Sequence, residues 1–429
     1  MQLHRGQLAA LISFADSLEA KHGRLPKIAG NDYLDAFRVQ ILDASYWKAI
    51  IGRNEFFEIV FGVVYKCLSK LPESYSGPLS EANDGAILGA VKAELQTAFE
   101  SLPRSYDLFI PLNSLQAIHQ TEIALSDEIS LVDSADHPLL GPFLAPAPVQ
   151  GLFGLLGGIQ QTPLPTNGRR FLRVRTTGFG SDMPNSPAVR DAWAIAKRLA
   201  FIGIASGNLV VKHDWIFRPN ANAAIDPAIL AELWQHNALT ALNPDFEVLR
   251  FFSSLAIKEP ITVADLSGKS TSTLLTAPDR EAVTPEHFAR AIRLRMGAVT
   301  SFLAINSEDA APVRAAMEWF IDAEASQNET VSFLQRCIGL EALLGSSESK
   351  RDVTERLADR YAYLVCTTAS ARDAQRKRFI AMYRHRSEIV HGRSTKLSEE
   401  HRQASWDARD MLLQVVWRES HNVLKGAAS

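Results

Sequence analysis

Tyr383-Arg384-His385-Arg386-Ser387-Glu388-Ile389-Val390-His391-Gly392 closes one of the longest helical tracts of the chain. It decides how the C-terminal third is read. Glycine after a run of helix formers marks a C-terminal stop, which places His391 in the final turn. There the helix dipole favours a positive charge. Arg386 and His391, with a polar Ser387 between them, unite a phosphate-binding cation and a proton-transfer group. A bare Arg–His pair is weak evidence, because chance supplies roughly one match at any given spacing in a chain this rich in arginine. The surroundings must carry the reading.

Outward from that stretch, the apolar periodicity predicts helices over about 285–304, 308–325, 328–344, 351–366, 371–391 and 398–420. Thr284-Pro285 suits a helix start, Ser398 an N-cap, and Gly345 and Gly392 C-terminal caps. A helical bundle is expected over 285–425. Residues 264–284 are polar and rich in Ser and Thr, as a linker is.

The first hundred residues also read as helical. Leu8, Leu11, Ile12, Phe14, Ala15 and Leu18 share one face, as do Phe56, Ile59, Val60, Val63, Val64, Cys67 and Leu68. A third helix is expected from Asn83 or Asp84 to the Leu102-Pro103 break. Between 105 and 263 lie strand-like runs at Tyr106–Ile110, Glu122–Leu125, Phe171–Thr176 and Leu209–Val211, with a helix from about Ser186 to Ile204. The expected organisation is a helical region 1–104, a small α+β module 105–263, the linker and the bundle. The fold class is mainly α with a small α+β part.

Composition sets the outer bounds. A chain of 429 residues, 46% hydrophobic and 22% charged, is expected to be globular and to exceed one core. A net charge of -3 gives no global attraction to nucleic acid, so RNA binding requires a local patch. Cys67, Cys337 and Cys366, without CxxC spacing, argue for a reducing compartment and against a disulfide or zinc framework. With no signal peptide read at the start, a cytoplasmic location is expected. The uncharged run 138–168 is apolar but repeatedly cut by proline, which argues against stable membrane insertion and for a flap or partner-binding loop.

The bundle helices contain Leu340-Glu341-Ala342-Leu343-Leu344-Gly345, then Arg356-Leu357-Ala358-Asp359-Arg360, then the opening stretch. In this order and separation they resemble the HEPN superfamily, most closely its Apea-like branch, over about 285–425. The family's signature is an Arg, a polar residue and a His four to six residues on, which Arg386, Ser387 and His391 satisfy; Asn, Asp or His is more usual at the position of Ser387. The resemblance implies a helical bundle that dimerises so that two Arg–His pairs share a cleft. It implies RNA cleavage without metal or other cofactor in active members, many of them toxins or anti-phage effectors. An antitoxin or a phage-derived trigger is then an expected partner. In other members only binding or dimerisation survives.

Helix geometry agrees with a shared site. Five residues turn an ideal helix by about 500°, leaving Arg386 and His391 about 140° apart. The expected reaction is attack of an RNA 2′-OH on the adjacent phosphate, leaving a 2′,3′-cyclic phosphate and a 5′-OH. His391 moves protons, Arg386 holds the phosphate and Ser387 orients one of the two. Arg376, Lys377, Arg378, Arg384 and Arg393 form the candidate RNA-backbone track. The alternative is a solvated face paired with neighbouring acids. Glu341, within an apolar run, is expected to support an arginine. Arg360 and Tyr383 complete the supporting set, Tyr383 chiefly as core.

Ser267-Gly268-Lys269-Ser270 lacks the first glycine of a P-loop, with Val263 in its place. Glu348-Ser349-Lys350 resembles the tail of a metal-dependent nuclease motif but falls between predicted helices, and His213, Asp214 and His236 look isolated.

Overall fold

The computed structural model describes residues 2–24, 31–112, 121–135, 137–144, 170–181, 186–211, 227–233, 238–242, 246–257, 307–308, 310–345, 353–392 and 397–428, with scattered positions between 286 and 296. The expected linker, Arg393, the P-loop-like and nuclease-like stretches, His213, Asp214, His236 and most of the apolar run lie outside the described residues. The chain is mainly α with a small α+β part.

Two compact units are present. One comprises Met1–Asp107, Thr176–Asp191 and Leu230–Ala238; the other comprises Leu108–Arg175, Ala192–Ile229 and Leu239–Ser429. The first contains α1 (Arg5–Asp16), α2 (Asp32–Leu42), α3 (Ser45–Lys48), α4 (Arg53–Leu68) and α5 (Ala86–Glu100), with β1 (Glu19–Ala20) paired to β2 (Gly77–Pro78). Its core is aromatic. Phe37 lies 5.2 Å from Phe56 and 5.5 Å from Phe99 between ring centroids, both edge-on, the geometry that ring quadrupoles favour. The predicted stripe of α1 buries Leu11, Phe14 and Ala15 but leaves Ile12 exposed. The start of α5 also differs from expectation. Asn83 and Asp84 adopt left-handed backbone, which Asn and Asp tolerate, and the cap falls at Gly85.

A six-stranded sheet runs in the order β4-β5-β6-β3-β8-β9, formed by β3 (Arg104–Leu112), β4 (Glu122–Ala124), β5 (Ile129–Asp133), β6 (Arg170–Gly178), β8 (Ala228–Glu232) and β9 (Ala238–Leu242). β5 pairs antiparallel with both β4 and β6. On β6 the basic residue Arg173 reaches Glu122 at 2.8 Å while Val174 is buried, which accounts for the alternation seen in the sequence. The short β7 (Leu209–Val211) pairs with β10 (Leu255–Ile257). Three further helices belong to this part: α6 (Leu140–Leu144), α7 (Pro187–Ala205) and α8 (Phe246–Ser254).

The second unit carries the bundle: α9 (Ala310–Ala325), α10 (Glu329–Leu344), α11 (Val353–Val365), α12 (Ala369–Val390) and α13 (Glu399–Ala428). α9 packs on α10, α11 on α12, and α13 against all four. Phe320, Phe333, Cys337, Leu340, Tyr361, Phe379, Met411 and Leu412 are fully buried between them. Gly339 permits a close approach of α10 and α13: a Cβ there would stand 3.0 Å from the Leu412 side chain. An ion network reinforces the apolar contacts. Glu324 of α9 accepts from Arg336 of α10 at 3.0 Å and from Arg409 of α13 at 2.9 Å, and Arg336 also donates to Ser405 Oγ at 2.7 Å. Among the described residues no helix is long and apolar enough to cross a membrane.

Candidate functional site

The site is built at the C-terminal end of α12. Thr368 caps its start by accepting from the Ala371 amide, and Phe379, Met382 and Tyr383 anchor it in the core. Its end is also defined. The His391 amide donates to the Ser387 carbonyl at 3.0 Å, and Gly392, at φ +67°, donates to Ile389. A left-handed glycine there satisfies carbonyls that the helix would leave open.

Arg386 is fixed from the neighbouring helix. One of its terminal nitrogens donates to Glu341 Oε1 of α10 at 3.0 Å, and its guanidinium lies 5.4 Å from the centre of the Tyr383 ring. The same carboxylate oxygen accepts the Tyr383 hydroxyl at 2.8 Å. Glu341 is therefore the expected support for an arginine. Burial, and then the hydrogen bond to Glu341, push the Tyr383 phenol well above its ordinary range, so it stays a proton donor and is no general base. Cys337, one turn before Glu341 on α10, is fully buried, and burial pushes its thiol up strongly, which makes it inert as a nucleophile. The ion pair uses only part of the five-donor guanidinium, and a quarter of the Arg386 side chain (25%) remains exposed.

His391 has a different setting. It is exposed, at the helix C-cap, and no hydrogen bond to its imidazole is present among the described residues. Ser387 is half-buried between the two, on the same helix.

Each described member of the candidate RNA track stands beside an acid. Arg376 pairs with Glu355 and Asp359, Lys377 with Asp373, Arg378 with Asp407, and Arg384 with Glu388. Lys377 and Arg384 are the most solvent-facing, each with 73% of its side chain exposed. Arg360 turns inward instead and donates to the carbonyls of Leu344 and Gly345 at 2.7 and 2.9 Å. It closes the end of α10, as a basic side chain at a helix C-terminus can.

One cluster was not read from the sequence. His385 and Glu388 of α12 meet His401 of α13, with Glu388 Oε2 3.2 Å from His385 Nδ1 and 3.6 Å from His401 Nε2. Spacing within a single helix shows the first pair, three residues apart. The third residue comes only from the packing of α13.

Fold and site together define a helical bundle with an arginine locked into a helix–helix contact and a histidine exposed one and a half turns later. Comparisons with protein-family models, with curated proteins and with solved structures found no match.

Proposed function

We propose that this chain is a HEPN-type endoribonuclease that cleaves RNA without a catalytic metal. The carrying observation is the contrast at the end of α12, where a pre-oriented Arg386 accompanies an exposed His391 imidazole free of hydrogen-bond partners among the described residues. A proton-transfer group needs solvent or substrate access, whereas a phosphate-holding cation benefits from fixed orientation. His391 takes the proton from the ribose 2′-OH or delivers one to the departing 5′-oxygen. Arg386 neutralises the charge that builds on the phosphate. The two side chains diverge around one helix, so the complete site combines Arg386 and His391 from two copies in a homodimer. Lys377 and Arg384 are the cations best placed to follow an RNA backbone, since exposed ion pairs exchange readily for phosphate. Arg376 and Arg378 are more heavily matched by acids. A toxin or anti-phage effector, silenced by an antitoxin or released by a phage-derived trigger, is the biological form of this reading.

One observation favours a second reading. The Arg386–Glu341–Tyr383 cluster ties α10 to α12 as a purely structural contact would. In that case the bundle is a non-catalytic module for dimerisation or RNA binding. The experiment that separates the two incubates wild type and His391→Ala with a defined RNA and with the same RNA carrying 2′-deoxyribose at each cleaved position. The nuclease reading requires 2′,3′-cyclic phosphate ends from wild type alone and no cut at the deoxy positions. Binding by both proteins with no cleavage by either establishes the second reading.

A further inference from the structure

We propose that His385, Glu388 and His401 form a binding site for a divalent transition metal of the zinc class, clasping the end of α12 to the start of α13. His385, Glu388 and His401 each offer one potential ligand atom, and these atoms lie within 4.8 Å of one another. Zinc–nitrogen and zinc–oxygen bonds of about 2.0–2.1 Å at tetrahedral angles hold donor atoms about 3.3–3.4 Å apart. The two contacts of Glu388 Oε2, at 3.2 and 3.6 Å, bracket that separation. Two imidazoles and one carboxylate suit a borderline cation, and the fourth position is left to water.

A second observation points the same way. The His401 side chain is only 9% exposed, and its Nε2 is buried without a hydrogen-bond partner among the described residues. That nitrogen faces the Glu388 carboxylate at a distance too long for a hydrogen bond. Its other ring nitrogen, Nδ1, lies 2.6 Å from Ser398 Oγ and accepts the Ser398 backbone N–H at 3.3 Å. A metal on Nε2 requires the proton on Nδ1, donated to Ser398 Oγ in place of the contact from the Ser398 N–H, the arrangement that orients metal-bound histidines. Glu388 divides its oxygens in the same sense. Oε1 faces Arg384 at 3.5 Å, while Oε2 faces both imidazoles. The rings of His385 and His401 meet edge-on at 4.8 Å between centroids. Glu388 and His385 keep enough exposure, 30% and 14%, for an ion to enter.

Bound here, the metal occupies His385 and leaves His391 as the exposed histidine of this helix end. The site stands apart from the proposed reaction and needs no RNA to be observed.

The test uses the full-length protein, stripped with a chelator and titrated with Co2+ in the absence of RNA. The wild type should develop the visible absorption of tetrahedral cobalt with a stoichiometric end point, and added Zn2+ should bleach it. Ser398→Ala should weaken binding by about 10–100-fold, and Glu388→Gln and His401→Ala by more. His391→Ala should bind as the wild type does. Should His401→Ala fail to fold, Glu388→Gln carries the test, with circular dichroism confirming its helix content. Zinc should raise the thermal midpoint of wild type and His391→Ala but not of the ligand variants. An absent cobalt spectrum in wild type overturns the proposal. So does a spectrum that persists in Glu388→Gln and His401→Ala, or one that is lost in His391→Ala. Because none of these readings involves cleavage, a failed nuclease assay leaves the metal site standing, and the reverse holds.

Discussion

Two neighbouring parts of α12 present the same kinds of residue in opposite states. Around Tyr383–Arg386 the side chains are stacked, paired and half-buried against α10. Over Ile389–Gly392 the helix ends in solvent, with an exposed histidine and a left-handed glycine. The first region contributes to stability and orientation together, so a loss of activity on mutating Arg386 has two explanations. The second contributes almost nothing to packing, so its chemistry is separable. Histidine variants therefore report on function more cleanly than arginine variants.

The largest expected separation comes from His391→Ala. Removing a proton-transfer group costs about 10²–10⁴-fold in cleavage rate, while an exposed substitution leaves unfolding free energy within about 0.5 kcal/mol. A parallel loss of stability, seen in urea denaturation, would show that the last turn is structural after all. Next comes Glu341→Ala. It leaves Arg386 and the Tyr383 hydroxyl without their acceptor and is expected to cost about 1–2 kcal/mol, allowing for partial exposure. Cleavage should fall by about tenfold as Arg386 loses its orientation. Activity lowered with no change in stability would separate the two roles of Glu341. Gly392→Ala forces a side chain into left-handed backbone and is expected to cost about 1 kcal/mol. It leaves Arg386 in place, so any change in cleavage from it tracks the position of His391. The smallest effect belongs to Lys377→Ala, within about 0.5 kcal/mol for stability but with a shallower salt dependence of RNA affinity. An unchanged salt slope would remove Lys377 from the RNA-contacting face.

Much of this contrast was legible in the sequence, for physical reasons. The helices from α9 to α13 bury one face in repeating steps, and periodicity reports burial. The stop at Gly392 was readable because only glycine adopts that backbone without strain. Glu341, a carboxylate among Leu340, Ala342, Leu343 and Leu344, had to find a cation, and Arg386 is that cation. What escaped depends on tertiary approach. The basic run of α12 reads as a track because its partners Glu355, Asp359 and Asp407 sit on other helices. His401 belongs to another helix, and nothing in its local spacing announces that it meets Glu388. β8 and β9 are five residues each, and Ala228-Ile229-Leu230-Ala231 has no alternation to separate strand from helix.

The most direct measurement is end-group analysis of RNA treated with wild type and His391→Ala under identical conditions. Fragments bearing 2′,3′-cyclic phosphate and 5′-OH from the wild type, with none above background from the variant, are the expected result. Equal cleavage by both proteins, or 5′-phosphate ends from the wild type, would contradict a reaction carried by His391.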